Sequence, residues 1–207
     1  MNFVSILEED YRERLDDEGL RVLERIRRGG ATAIGLLNEL VLYAGVGRDD
    51  VQRVQVDMNQ IARRAMAEAV SGEEKASEED FEICDLPPAS ADPALVERVF
   101  TNLFSNALKY SRERDPRLVR VWAEREGSMV RYVVEDNGVG FESDQSERLF
   151  DPFARMHSAR DYEGSGLGLA IVKKIVRRLG GQILAESDGT SGARVMFSLP
   201  GWEGEGT

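Results

Sequence analysis

The sequence predicts an α+β protein in which a helical N-terminal region precedes a mixture of helices and strands. Apolar residues recur at helical spacing in three segments, 1–47, 92–111 and 168–179. Apolar and polar residues alternate with the strand period of two in three others, 118–124, 129–135 and 194–200. A glycine-rich turn at 164–168 runs directly into the last helical segment.

The composition is that of a soluble globular protein, with 42% hydrophobic and 31% charged residues. The chain contains no apolar run of membrane-spanning length and no signal-peptide cleavage pattern, so we expect a cytoplasmic location and no membrane contact. A net charge of −11 disfavours nonspecific binding to nucleic acid, and an anionic ligand must therefore be held by a local positive site. Cys84 is the only cysteine, which excludes an internal disulfide.

Residues 1–47 predict a short helix and a long helix that together form a hairpin. Gly29 and Gly30 interrupt the long helix and weaken the prediction that it is continuous. A hairpin of this size cannot bury its apolar stripe within itself, so we expect it to pair with a second copy in a homodimer. A glycine-rich linker then leads into a second domain over residues 48–207.

The second domain begins with elements whose ends are marked by capping and turn residues. We expect a strand at 53–57, a helix from Met58 to about Val70 with Asp57 as its cap, and a strand at 81–87. Asp92 and Pro93 predict the start of another helix, and residues 118–135 predict a β-hairpin. Strands at 182–186 and 194–200 close the domain.

The helix that begins at Asp92 carries Asn102 and Asn106, four residues apart and therefore on one side, with Lys109 one turn further on. Asparagine is a poor helix former, and two of them on a partly buried face need partners. One interpretation is a solvated polar face. The other is a phosphate site, since an asparagine carbonyl suits Mg²⁺ and a lysine balances phosphate charge.

Two glycine-containing segments allow a structural or a functional interpretation. Asp136 ends a strand and leads into Gly138 and Gly140, which is either a turn or a carboxylate placed to accept a hydrogen bond from an adenine amine. In 161–181, three alternating glycines precede an amphipathic helix. That pattern is either a tight turn or a cradle whose N–H groups and helix dipole favour a polyphosphate.

Together these segments resemble the ATP-binding domain of sensor histidine kinases. Residues 102–111 are similar to the family's asparagine box, 136–140 to its first glycine box, 149–153 to its phenylalanine box and 164–169 to its second glycine box. The resemblance covers about residues 51–200 and implies a two-layer α/β sandwich, the Bergerat ATP-binding fold, with helices on one face of a mixed sheet.

The resemblance also implies roles for individual residues. Asn106 would ligate Mg²⁺, Asn102 and Lys109 would contact phosphates, and all three would be catalytic residues. Asp136 would bind the adenine amine, and residues 142–163 would form a mobile lid. The other residues implied to contact ATP are Tyr110, Gly138, Gly140, Phe153, Gly164, Ser165, Gly166, Leu167, Gly168 and Leu169. Related ATPases of gyrase and chaperone type have a glutamate base where Asn102 stands. An asparagine cannot take a proton, so we expect slow hydrolysis.

The chain departs from the family pattern in two places. Ala193 stands where the family often has threonine or serine near the base. The N-terminal hairpin resembles the dimerisation hairpin of phytochrome-type kinases, but in the family the phosphorylated histidine lies upstream of the position of Met1, and His157, in the lid segment, is the only histidine here. We expect a fragment of a longer kinase, or a variant that uses an acceptor on another chain.

Three functions follow from these patterns. The leading hypothesis is the catalytic region of a cytoplasmic protein-histidine kinase, dimeric through its hairpin, whose partner is the receiver domain of a response regulator. A serine kinase of the anti-sigma type is disfavoured by the hairpin and the phenylalanine box. A dimeric nucleotide-binding scaffold or phosphotransfer regulator without kinase activity stays open because the acceptor histidine is missing.

Overall fold

The structure is a computed structural model, and it describes residues 4, 6–7, 11–45, 51–73, 75–154, 162 and 164–202. The chain divides into two compact units, Met1–Leu42 and Tyr43–Thr207. Across the described ranges, no helix is both long and apolar enough to cross a membrane.

The first unit is dominated by one long helix. Val4, Ile6 and Leu7 are helical, and a 3₁₀ turn at Arg12–Arg14 precedes helix α1, Asp17–Gly45. The helix continues through Gly29 and Gly30, so the predicted interruption is absent. Glycine in a helix costs only about 1 kcal/mol relative to alanine, and the ion pairs of Glu24 with Arg27 and Arg28, both at 2.8 Å, support the preceding turn. These pairs lower the pKa of Glu24 to about 2.

The second unit is built on a mixed sheet of five strands in the order β2-β4-β5-β7-β6. Their bounds are β2 Phe81–Ile83, β4 Val119–Glu126, β5 Met129–Asp136, β6 Ile183–Ser187 and β7 Ala193–Pro200. Strand β2 is parallel to β4, and the remaining neighbours are antiparallel. Strands β1, Val54–Val56, and β3, Ala89–Ala91, form a separate antiparallel pair.

In the described part of this unit, the sheet is accompanied by the α-helices α2 Met58–Ser71, α3 Pro93–Tyr110 and α4 Gly168–Arg178. The predicted caps are present. The Asp57 carboxylate accepts from the N–H of Gln60 at 3.0 Å, and that of Asp92 accepts from Ala94 at 3.0 Å and Leu95 at 3.3 Å. Each cap satisfies N–H groups that a helix start leaves unpaired, so both helices begin where the sequence predicts.

The helices cover one face of the sheet. Phe100 of α3 lies edge-on to Phe197 of β7 with ring centres 5.5 Å apart, and Phe197 stacks on Tyr132 of β5 at 5.2 Å. The opposite face carries a row of alternating charge across the five strands, in the order Glu82, Arg120, Glu135, Arg194, Glu186. One apolar face under helices and one charged face confirm the two-layer α/β sandwich.

Two local predictions were wrong. Strand β2 ends at Ile83 rather than at residue 87, because the backbone of Leu86 is paired with the side chain of Asn59. The Asn59 Oδ1 accepts from the N–H of Leu86, and its Nδ2 donates to the carbonyl of Leu86, each at 3.0 Å. Phe150 and Phe153 do not share a helix. The 3₁₀ turn Arg148–Phe150 buries Phe150, whereas Phe153 lies beyond it with φ +64° and is 58% exposed.

Candidate nucleotide-binding site

The glycine-rich loop packs tightly against the segment that carries Phe153. The N–H of Phe153 donates to the carbonyl of Gly166 at 2.9 Å, and Gly166 has φ +74°. A Cβ on Gly166 would lie 2.8 Å from the Phe153 backbone, so only glycine fits there. The Ser165 hydroxyl accepts from the N–H of Leu167 at 3.0 Å and fixes the last turn of the loop.

Helix α4 begins at the end of this loop with Gly168 and Leu169. Within the described residues, no side chain caps its first turn. The N–H groups of that turn and the positive end of the helix dipole are therefore available to an anion. This geometry fits a phosphate group at the start of α4.

The loop lies directly against the polar side of α3. A Cβ on Gly168 would be 2.9 Å from Asn102 Oδ1, and one on Gly164 would be 2.8 Å from Lys109 Nζ. Asn102 Nδ2 donates to the carbonyl of Arg98 at 2.8 Å, which turns its Oδ1 away from its own helix backbone. The fold thus brings together the two segments that the sequence singled out separately.

Asn106 is half-buried on the same side of α3, one turn after Asn102. The described residues contain no cluster of three or more histidine, cysteine, aspartate or glutamate side chains that could hold a metal ion. A metal here would therefore have to share its ligands with phosphate oxygens and water, which is how Mg²⁺ binds beside a nucleotide. The Asn106 carbonyl and the glycine cradle fit that arrangement.

Sequence reasoning missed Arg98, which lies one turn before Asn102 on the same side of α3. Its Nε is buried and has no hydrogen-bond acceptor in the part of the chain that the structure describes. The neighbouring side of α3 faces α2 instead, through Glu97 with Arg64 at 3.5 Å and Thr101 with Glu68 at 3.0 Å. An anion beside Asn102 would supply the acceptor that Arg98 lacks. The i−4 spacing was the signal that could have found it.

Asp136 forms the other end of the site, where β5 ends. Its Oδ1 accepts from the N–H of Gly138 at 2.9 Å, and the next N–H, that of Val139, donates to the carbonyl of Tyr110 at 3.2 Å. Burial raises the pKa of Asp136 to about 6, although the N–H groups of Gly138 and Ala193 favour the ionised form. A buried carboxylate with a remaining acceptor position suits an exocyclic amine.

Two further residues hold this end in place, and neither was predicted. The Ser187 hydroxyl accepts from the N–H of Phe141 at 2.9 Å and donates to the carbonyl of Gly192 at 2.7 Å. The Arg114 guanidinium donates to the carbonyls of Gly138 and Thr190, both at 2.9 Å. Except for the Ser187–Gly192 bond, these bonds join segments distant in sequence, so no local pattern identifies them.

The predicted lid is described only in part. Its first residues form 3₁₀ turns at Ser143–Gln145 and Arg148–Phe150, and Phe150 packs with Phe141 and Ala185 in a small core. His157 lies outside the described residues. The candidate site therefore consists of α3, the segment after β5, and the loop before α4.

These features together are those of a nucleotide-binding domain: an α/β sandwich with a glycine cradle at a helix start, paired asparagines and a buried aspartate. The chain matches the family described as histidine kinase-, DNA gyrase B-, and HSP90-like ATPase over residues 91–203. It belongs to this family and contains its ATP-binding domain.

Individual proteins of known type are similar to almost the whole chain. The chain is 31% identical over 199 residues to the phytochrome-like protein Cph1 of Synechocystis sp., covering 96% of this chain and 26% of that protein. It is 32% identical over 200 residues to the methanogenesis regulatory histidine kinase FilI of Methanothrix harundinacea, covering 96% of this chain and 22% of that protein. The resemblance to sensor histidine kinases is confirmed, and the chain spans about a quarter of the length of these curated relatives.

A solved structure has the same fold over nearly the whole chain. The crystal structure of full-length ShkA in complex with AMPPNP matches with a TM-score of 0.73 and 24% identity, covering 98% of this chain and 42% of that chain.

Proposed function

We propose that this chain is the catalytic region of a two-component sensor histidine kinase, which transfers the γ-phosphoryl of ATP to a histidine that is not present in this chain. Residues 48–207 would bind ATP, and residues 1–47 would belong to a dimerisation hairpin. The observation that carries the proposal is the contact of the glycine-rich loop with Asn102 and Lys109, with buried Asp136 beside the C-terminal end of the same helix. The AMPPNP bound in the ShkA structure supports this assignment.

Each residue of the site would have a distinct task. Asp136 would accept a hydrogen bond from the adenine amine, and the N–H groups at the start of α4 would hold phosphate oxygens. Asn106 would hold Mg²⁺ through its carbonyl. When bound, Mg²⁺ neutralises phosphate charge. Lys109 and Arg98 would add positive charge on either side of the asparagines.

Asn102 favours transfer over hydrolysis. A general base contributes roughly 10²–10⁴-fold to such a reaction, and an amide cannot act as one. The amide of Asn102 is instead held by the Arg98 carbonyl, with its oxygen towards the loop. An attacking water would therefore lack a base at this position, and the γ-phosphoryl would persist until an acceptor histidine arrives.

The partners of this region would be a second copy, through the hairpin, and the receiver domain of a response regulator. Dimerisation is supported by exposed apolar side chains on α1, with Ile34 at 63%, Leu37 at 60% and Val41 at 65% exposure. We propose a cytoplasmic location and no binding to nucleic acid, in line with the net charge of −11.

The test combines binding with transfer. Calorimetric titration should show Mg²⁺-dependent binding of ATP, and Asn106→Ala should remove most of the Mg²⁺ dependence. With γ-labelled ATP and a separately supplied histidine-bearing hairpin, we expect an acid-labile, alkali-stable label on the hairpin. Binding without such transfer would favour a non-enzymatic scaffold, an acid-stable label would favour a serine kinase, and absence of ATP binding would overturn the proposal.

A further inference from the structure

Tyr162 lies two residues before Gly164, at the entry to the glycine-rich loop, and its side chain is buried, with only 9% of the residue exposed. It packs on the C-terminal end of α3 and on the residues that follow. Its ring centre is 5.1 Å from that of Tyr110, with the two rings tilted by 52°. The Arg112 guanidinium covers Tyr162 with its carbon 4.7 Å from the ring centre.

The contacts continue to a residue of the nucleotide site. Lys109 Nζ lies 4.7 Å from the centre of the Tyr110 ring and 3.4 Å from the Tyr110 hydroxyl. The same Nζ lies against the loop, since a Cβ on Gly164 would approach it to 2.8 Å. These contacts form a continuous series, here called the tyrosine stack, in the order Arg112, Tyr162, Tyr110 and Lys109. Lys109, at one end, lies against the glycine-rich loop, and the same loop begins two residues after Tyr162.

This arrangement constrains both parts of the phosphate site, the Lys109 amine and the glycine-rich loop. Aromatic pairs and cation–π contacts are each strongest at defined separations, so the tyrosine stack favours one position of the Lys109 amine. Because the Tyr162 ring is held two residues before Gly164, it also restricts the chain at the loop, which lowers the entropy lost when an anion binds there. The adenine end is held by other bonds, since the Asp136 carboxylate accepts from the N–H groups of Gly138 and Ala193. Its one link to the tyrosine stack is the backbone bond from Val139 N–H to the Tyr110 carbonyl, which does not involve the Tyr162 ring.

Resting on the proposed function, we infer that Tyr162 is a positioning residue that sets the affinity of this site for the phosphates of a nucleoside di- or triphosphate. It does so by holding the start of the glycine-rich loop and the Lys109 amine against each other through the tyrosine stack. Tyr162 does not itself contact the nucleotide. Its loss therefore weakens binding of the polyphosphate and leaves binding of the nucleoside unchanged.

The experiment compares two ligands on the full chain. Dissociation constants for AMPPNP with Mg²⁺ are measured by calorimetry, and those for adenosine by ligand-observed NMR. Tyr162→Ala should raise the Kd for AMPPNP about tenfold, equivalent to about 1.4 kcal/mol, and change that for adenosine less than about twofold. Tyr162→Phe should restore wild-type affinity, because the ring and its contacts with Tyr110 and Arg112 are kept.

Two further variants distinguish a positioning role of Tyr162 from a general loss of protein stability. Arg112→Ala removes the guanidinium that covers the Tyr162 ring and should weaken AMPPNP binding without weakening adenosine binding. This variant tests the inference even if Tyr162→Ala does not fold. Tyr11→Ala removes a ring with a similar cation contact, from Arg14 at 5.4 Å, and should leave both constants unchanged. Equal loss for both ligands, or no loss for AMPPNP, would overturn the inference. Failure of the wild type to bind either ligand would instead overturn the proposed function.

Discussion

At the scale of single residues, Asp136 has a charge that changes within the accessible pH range. Its pKa of about 6 arises from burial, and the ionised form is the better acceptor for an amine. We therefore expect ATP affinity to fall as the pH is lowered through about 6. Calorimetric titration across this range should show the fall in the wild type, and Asp136→Asn should bind weakly with a flatter profile. A wild-type profile no steeper than that of Asp136→Asn would assign Asp136 a structural role.

The same residue links pH to the stability of the ligand-free protein. Its folded pKa, about 6, lies above the ordinary value of 3.8, so its stabilising contribution is complete below about 4 and is lost as the pH rises to about 6. Above that range the folded state carries a buried charge. Asp136→Asn should therefore melt at a higher temperature than the wild type at neutral pH, with a smaller difference at pH 4.

Arg98 should show opposite effects on stability and on binding. Its buried Nε has no acceptor among the described residues, which is unfavourable in the ligand-free protein. Arg98→Met keeps the apolar stem and removes the unsatisfied donor, so the melting temperature should stay the same or rise. Affinity for AMPPNP should fall roughly tenfold, the scale of one charge-assisted hydrogen bond. A variant that melts lower and binds normally would show that Arg98 serves packing alone.

At the scale of elements, the cap of α3 stabilises the helix that carries the asparagines. The Asp92 carboxylate satisfies two N–H groups, and replacing such a cap by alanine costs about 1 kcal/mol. Asp92→Ala should lower the urea midpoint accordingly and leave the Kd for ATP unchanged, since the cap lies more than two turns before Asn102. Asp57→Ala, which removes the cap of α2, is the matched control and should behave similarly. A selective loss of ATP binding in Asp92→Ala would mean that the cap also positions the site.

Elements specified by local chemistry were predictable from the sequence. The hairpin of β4 and β5 follows from alternation around Gly127, and α2 and α3 follow from their capping aspartates. Elements specified by distant contacts were not. Strand β2 is shortened by Asn59, which lies 27 residues from Leu86, and β3 has no pattern beyond its pairing with β1.

The candidate site divides in the same way. Its glycines, asparagines and Asp136 stand in short motifs, so the sequence identified them and the fold brings the loop to Asn102 and Lys109. Ser187 and Tyr162 depend on tertiary contacts, and a motif cannot indicate them, whereas Arg98 could have been found from its position four residues before Asn102. Phe153 shows the limit within a motif, since its spacing from Phe150 favoured one helix, whereas its backbone bond to Gly166 requires a different conformation.

At the scale of the whole molecule, the candidate site and the exposed apolar side chains belong to different elements. The chain carries a net charge of −11, while the site collects Arg98, Lys109 and the start of α4 around the expected phosphates. The large exposed apolar side chains concentrate on α1, where Ile26, Ile34, Leu37, Leu40 and Val41 are each more than 40% exposed. A surface of this kind on one helix face is typical of an interface.

We therefore expect the protein to dimerise through α1. Leu37→Glu combined with Val41→Glu places charges on the apolar face and should shift sedimentation equilibrium towards monomer. The Kd for ATP should stay unchanged, because the residues assigned to nucleotide binding stand between Arg98 and Leu169. Thr32→Glu is the matched control. It is exposed and lies two residues from Ile34, hence on the opposite side of the helix, and should leave the dimer intact. A wild type that stays monomeric at high concentration, or a dimer unaffected by the paired glutamates, would contradict this assembly.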